Sequence, residues 1–140
     1  MPSLSTQQLW NSHPYPNSTC DAGLFPNQCA IRMGVALKGA GANLSSFVGA
    51  KCWKGHMPGH VLRAQELANW LCTQVLLVGT VKKYKGVTSA NFTGKKGIVF
   101  IKDGWGPTDH VDVWNGAQMK GGSPDYFARG KEVWFWELNP

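Results

Sequence analysis

The chain has 140 residues, 43% hydrophobic and 16% charged, enough apolar material for one packed domain and too little charge for a disordered tail. Its net charge of +6 is uneven: Lys82, Lys83, Lys85, Lys95, Lys96 and Lys102 lie in a stretch without acids, and six of the eight acids follow from residue 103 onward. Arginine is limited to Arg32, Arg63 and Arg129, with no RNA-type aromatic motif, which argues against a nucleic-acid partner and leaves a solvated face or attraction to an anionic surface such as cell wall.

Residues 1–26 carry Pro2, Pro14, Pro16 and Pro26 and read as an irregular arm with a short helix around residues 6–10. The first residues lack the basic-then-apolar pattern of a secretory leader, and no apolar run is long enough to span a bilayer. The sequons at Asn17, Asn43 and Asn91 are therefore read as chance matches.

Pro26 and Asn27 mark a helix start, with Asn27 as N-cap, and Ile31 and Val35 recur at helical spacing. This predicts a helix over residues 27–37, ending near Gly39, with the Cys29 thiol in its first turn. A short helix is expected near residues 44–49. Pro58 opens the clearest helix, with Leu62, Ala68 and Leu71 near one stripe. Residues 75–81 read as an apolar strand or a helix end, and residues 82–96 as a polar, glycine-punctuated segment. Three strands follow, at residues 97–102, 110–114 and 133–138. Asn115-Gly116 has the composition of a two-residue hairpin turn. Helices first and strands second indicate a single α+β domain, residues 1–140, with helices on an antiparallel sheet.

Cys29 carries the chemistry. Unpaired N–H groups and the helix dipole at a helix start favour a thiolate, the nucleophilic form of cysteine. A buried small hydrophobe or half a disulfide would also place a cysteine there. The other cysteines, Cys20, Cys52 and Cys72, do not decide the redox compartment. His110 lies on a later strand and shares a face with Asp112 and Trp114 by alternation. That fits a general base for Cys29, and equally a hydrogen-bonded core pair. If the Asn-Gly turn has two residues, Trp114 pairs with Ala117 and His110 faces Gly121, which offers no side chain to orient an imidazole. Asp112, Asp125 and, more weakly, Gln118 are the candidates for that task. Cys52, His56, His60 and Cys72 have the composition of a zinc set, but Gly55, Pro58 and Gly59 interrupt any helix that would align them, so no metal is expected. His60, Trp105 and Trp114 are candidate substrate-binding residues at the groove.

Taken together, five segments resemble a known family. Asn27-Gln28-Cys29-Ala30-Ile31-Arg32-Met33 resembles the nucleophile motif of the type VI secretion amidase effectors, family 4, and the helix from Leu62 to Leu71 resembles that family's second helix. The segments beginning at Gly97 and at His110 resemble its central strands, and Val133-Trp134-Phe135-Trp136 its last strand. The resemblance implies a papain-like fold of the NlpC/P60 type. It also implies a Cys–His amidase that cuts peptidoglycan stem peptides between D-glutamate and meso-diaminopimelate, without cofactor. Cys29 and His110 carry over to the catalytic positions. The family usually places an acid about where Gly121 stands, so the resemblance leaves the orienting residue open. It further implies export by a secretion apparatus into a rival's periplasm, and a cognate immunity protein that blocks the groove. The rival readings are the same fold cutting the cross-link or another peptide, and a non-catalytic wall-binding module built on the Trp-rich surface.

Overall fold

The computed structural model describes residues 4–15, 29–44, 46–47, 63–105 and 108–140. The cap at Asn27, the helix start at Pro58, Cys20, Cys52, His56 and His60 lie outside them.

The arm contributes a helix, α1 (Thr6–Ser12). Its N-cap Ser5 accepts a hydrogen bond from the N–H of Gln8 at 3.1 Å, satisfying one of the orphan donors of the first turn. The arm is tied to the far end of the chain. Thr6 and Gln7 donate to the carbonyls of Asn139 and Pro140 at 2.7 and 2.8 Å. Helix α2 (Cys29–Gly39) buries Cys29, Ala30, Ile31, Met33, Gly34, Ala36 and Leu37. A helix buried this far round belongs in the interior, between other elements. Helix α3 (Ala64–Cys72) turns Leu67, Ala68 and Leu71 inward, and α4 (Val75–Val78) settles the ambiguous apolar run as one helical turn. Of the helix expected near residues 44–49, the described part is a turn closed by Phe47 N–H on the Leu44 carbonyl.

Four antiparallel strands form one sheet in the order β1-β4-β2-β3: β1 (Lys82–Tyr84), β2 (Gly97–Trp105), β3 (Thr108–Trp114) and β4 (Glu132–Glu137). Strand β1 corrects the reading of residues 82–96 as a polar connection. It pairs with β4, Lys83 opposite Trp134, and forms one edge of the sheet. Its exposed lysines discourage pairing with another chain, and Lys83 Nζ sits 4.0 Å over the Trp134 ring.

Both faces of the sheet are covered. Ile98, Phe100, Val111, Val113, Trp134 and Trp136 pack with the helices, whereas Val99, Ile101, Trp114, Val133 and Phe135 pack with Phe92, Met119 and Phe127. Phe127 belongs to a short helix, α5 (Tyr126–Arg129), between β3 and β4. This explains why β2 reads as an unbroken apolar run and not as an alternating one.

The turn after β3 differs from the expected hairpin. Trp114 pairs with Met119, not with Ala117. The Asn115 side chain accepts from the N–H groups of Ala117 and Gln118 at 3.0 and 2.8 Å, and its own N–H donates to the Gln118 carbonyl at 3.1 Å. The side-chain oxygen thus holds a longer turn, with Gly116 at φ 100°. The two-residue shift puts Gly121 against Asp112, not opposite His110.

Candidate active site

Cys29 opens the described part of α2, is buried at 8% exposure, and carries a thiol. Its Sγ lies 3.8 Å from the carbonyl oxygen of Asp109, next to His110 on β3. Cys29 and His110 are hydrogen-bonded. Helix α2 packs against β3, which brings the helix start to the strand although 80 residues of chain separate Cys29 from Asp109.

The other side of the imidazole is occupied. His110 Nε2 is 2.8 Å from Asp112 Oδ2. With Nε2 engaged, Nδ1 is the ring nitrogen available to the thiol. Asp112 is fully buried, and backbone donors compensate its carboxylate. Val113 N–H donates to Oδ1 at 2.8 Å, and Gly121 N–H approaches Oδ1 and Oδ2 at 3.0 and 2.9 Å. Burial alone would lower the His110 pKa. Hydrogen-bonding and electrostatic interactions with Asp112 and Cys29 outweigh burial and push it up to about 9. This shift favours the protonated form of the ring, which is flanked by a sulfur and a carboxylate.

Tyr126 stands edge-on to the His110 ring, with centroids 5.0 Å apart. Gly122 makes this close packing feasible: a Cβ there would come within 2.6 Å of Tyr126 and 3.0 Å of His110 Nε2. The remaining candidates are dispersed. Asp125 is exposed at the start of α5, its N–H directed to Ser123 Oγ at 3.3 Å, and Gln118 is exposed in the turn. Neither is brought to His110.

Trp114 must be corrected as a groove residue. It is 1% exposed, packs with Phe127, and donates its indole N–H to the Phe92 carbonyl at 2.9 Å. Alternation put it on the face of His110, but α5 and the 3₁₀ turn Ser89–Phe92 cover that part of the face. Trp105 ends β2 opposite Thr108; its side chain, like all of His60, falls outside the description. Among the described residues, no group of three or more His, Cys, Asp or Glu could hold a metal ion.

One residue near the site was missed from sequence. His13, just after α1, is 4% exposed, and its Nε2 lies 3.7 Å from Asp112 Oδ1. The signal was present: Thr6, Leu9 and His13 recur at i, i+3 and i+7, and all three are buried.

The fold has relatives among known structures. The chain is similar to the type VI effector Tae4 from Enterobacter cloacae, with a TM-score of 0.79 and 23% identity over 99% of this chain and 100% of that one. It is also similar to Tae4 in the effector–immunity complex Tae4-Tai4 from Salmonella Typhimurium, with a TM-score of 0.77 and 22% identity over 98% and 99% of the two chains. These likenesses establish the α+β fold, that of the papain-like Tae4 effectors. A comparison with curated proteins gives no match. The profile of the family "Type VI secretion system (T6SS), amidase effector protein 4" matches residues 25–136, from before the Cys29 helix to within one residue of the end of β4, so the chain belongs to the Tae4 family of type VI secretion amidase effectors.

Proposed function

We propose that this effector is a cysteine amidase that hydrolyses the D-glutamyl–meso-diaminopimelate bond of peptidoglycan stem peptides, with Cys29 as nucleophile, His110 as general acid–base and Asp112 as its orienting carboxylate. The observation that carries the reading is the unbroken contact from Cys29, on α2, through His110 to the buried Asp112. The Cys29 thiolate attacks the γ-carbonyl carbon of D-glutamate, and the developing oxyanion is met by backbone N–H groups of the first turn of α2. His110 gives its proton to the departing amine as the C–N bond breaks, leaving a thioester. Water then attacks the thioester carbonyl, His110 takes up its proton, and the C–S bond breaks, which returns the Cys29 thiolate and releases the glutamyl carboxylate. Asp112 holds the imidazole and balances its positive charge. No step requires a metal or organic cofactor.

The protein is made in the producer's cytoplasm, exported by type VI secretion, and acts in the periplasm of a target cell. The related effectors that crystallise with Tai4 immunity proteins support a cognate immunity partner that blocks the groove. Among the described residues, no helix is long and apolar enough to cross a membrane.

Asp112→Asn is expected to lower the initial rate on a defined muropeptide about a hundredfold or more, because an amide can hold His110 in the wrong tautomer. The loss stays below that of a serine protease, since a thiolate depends less on its base. Asp125→Asn is expected to stay near wild type. The reverse order, in variants shown folded by circular dichroism, would assign the orienting role to Asp125.

The pH profile follows from His110. Below its raised pKa of about 9 it holds the proton that the leaving amine needs; above it that proton is gone. The rate is expected to fall as pH rises through about 9, not near the ordinary value of 6.5. Asp112→Asn should move this limb to lower pH, because it removes one of the contacts that favour the imidazolium.

A further inference from the structure

We propose that His13 is a positioning residue for the catalytic pair: as a neutral ring delivered by the N-terminal arm, it presents its Nε2–H to Asp112 Oδ1 and holds that carboxylate against His110. The inference rests on the amidase reading above and extends it to a residue of the arm.

The protonation pattern is set by geometry. The N–H of Tyr15 donates to His13 Nδ1 at 3.2 Å, so Nδ1 is an acceptor and the ring proton sits on Nε2. That nitrogen faces Asp112 Oδ1 at 3.7 Å. At this separation the contact is one of dipole and charge, short of a formed hydrogen bond. Because both side chains are essentially inaccessible to water, the field between them is weakly screened. Asp112 is thus surrounded on every side that matters: His110 at Oδ2, Val113 N–H at Oδ1, Gly121 N–H across both oxygens, and His13 beyond Oδ1.

The packing at Gly121 supports the same role. A Cβ at that position would lie 3.4 Å from Asp112 Oδ2, 3.4 Å from His13 Cε1 and 3.5 Å from Tyr15 Cδ2. His13 and Tyr15 therefore close around the carboxylate where residue 121 has no side chain. The anchoring of α1 to the chain's C-terminus and the half-turn at His13, whose N–H donates to the Leu9 carbonyl at 2.9 Å, fix the ring in place.

The charges that face His13 keep it neutral. Burial is the largest influence; Asp112 pulls the other way, and Lys120, Arg32 and His110 again disfavour a second cation, so its pKa falls to about 4. A neutral donor stabilises Asp112 without competing with His110 for its charge. A protonated His13 would share the carboxylate and weaken its hold on the catalytic imidazole.

The test compares His13→Phe, which keeps a ring without a donor, with His13→Gln, which keeps a neutral N–H. His13→Phe is expected to lower kcat on a defined muropeptide about tenfold, the loss typical when support behind a catalytic group is removed. KM should hold, the alkaline limb set by His110 should move to lower pH, and His13→Gln should recover most of the rate. Wild-type kcat and an unmoved limb in folded His13→Phe would overturn the inference, as would equal losses in both variants that track their melting temperatures. A second measurement needs no His13 variant. Nitrogen-15 NMR of the wild-type protein is expected to find His13 as the neutral Nε2–H tautomer at neutral pH, with its signals shifted in Asp112→Asn; a charged ring or the Nδ1–H tautomer would overturn the inference. Wild-type protein inactive on muropeptides would sink the amidase reading instead, and the NMR result would still decide whether His13 faces Asp112 as a donor.

Discussion

Sacculi incubated with Cys29→Ala are expected to release no soluble muropeptides under conditions where the wild-type protein digests them. Among the described residues of the site, the Cys29 thiol is the group suited to form an acyl intermediate, and loss of a nucleophile that works with a base costs on the order of a million-fold in kcat. The fold should survive. Alanine keeps the first helical residue, and removing one small buried atom costs about 1 kcal/mol, a typical single-substitution effect. Circular dichroism and thermal unfolding check this. Undiminished digestion by a folded Cys29→Ala variant would remove Cys29 from the mechanism.

His110→Ala is expected to be nearly as inactive, and the double variant Cys29→Ala with His110→Ala little worse than either one. A nucleophile and its base act as one unit, so once either is lost the other contributes almost nothing. Asp112 keeps its backbone donors from Val113 and Gly121 in this variant, so the stability loss should stay within about 1–3 kcal/mol. The measurement is initial rate on one muropeptide for the two single variants and the double. Losses that multiply across the pair would make His110 a structural neighbour of Cys29, not its base.

Much of this site was legible from local pattern. A proline and an Asx residue before an apolar periodic run pointed to the helix that carries Cys29, described from Cys29 to Gly39. Strand alternation put His110 and Asp112 on one face, and their 2.8 Å contact lies on that face. The failures share a cause, which is that local pattern does not report what lies across a sheet or beside a turn. Asn115-Gly116 resembles a two-residue hairpin, but the Asn115 side chain captures two N–H groups and lengthens the turn, moving Gly121 onto Asp112. Lys82 to Tyr84 became a strand only because β4, about fifty residues later, offered an open edge. Trp114 was placed on the correct face, but alternation could not tell that Phe92 and Phe127 would cover it. His13 was passed over because a proline-rich arm suggests a loose appendage, whereas its backbone is bonded to the C-terminus.

The central claim is a Cys29-dependent cut of the stem peptide, and mass spectrometry of muropeptides from digested sacculi tests it most directly. The account predicts disaccharide-dipeptides ending in D-glutamate, together with released peptides that begin at meso-diaminopimelate with a new free amine, and neither product with Cys29→Ala. A profile unchanged by the wild-type protein, or stems left intact with only their cross-links opened, would contradict it.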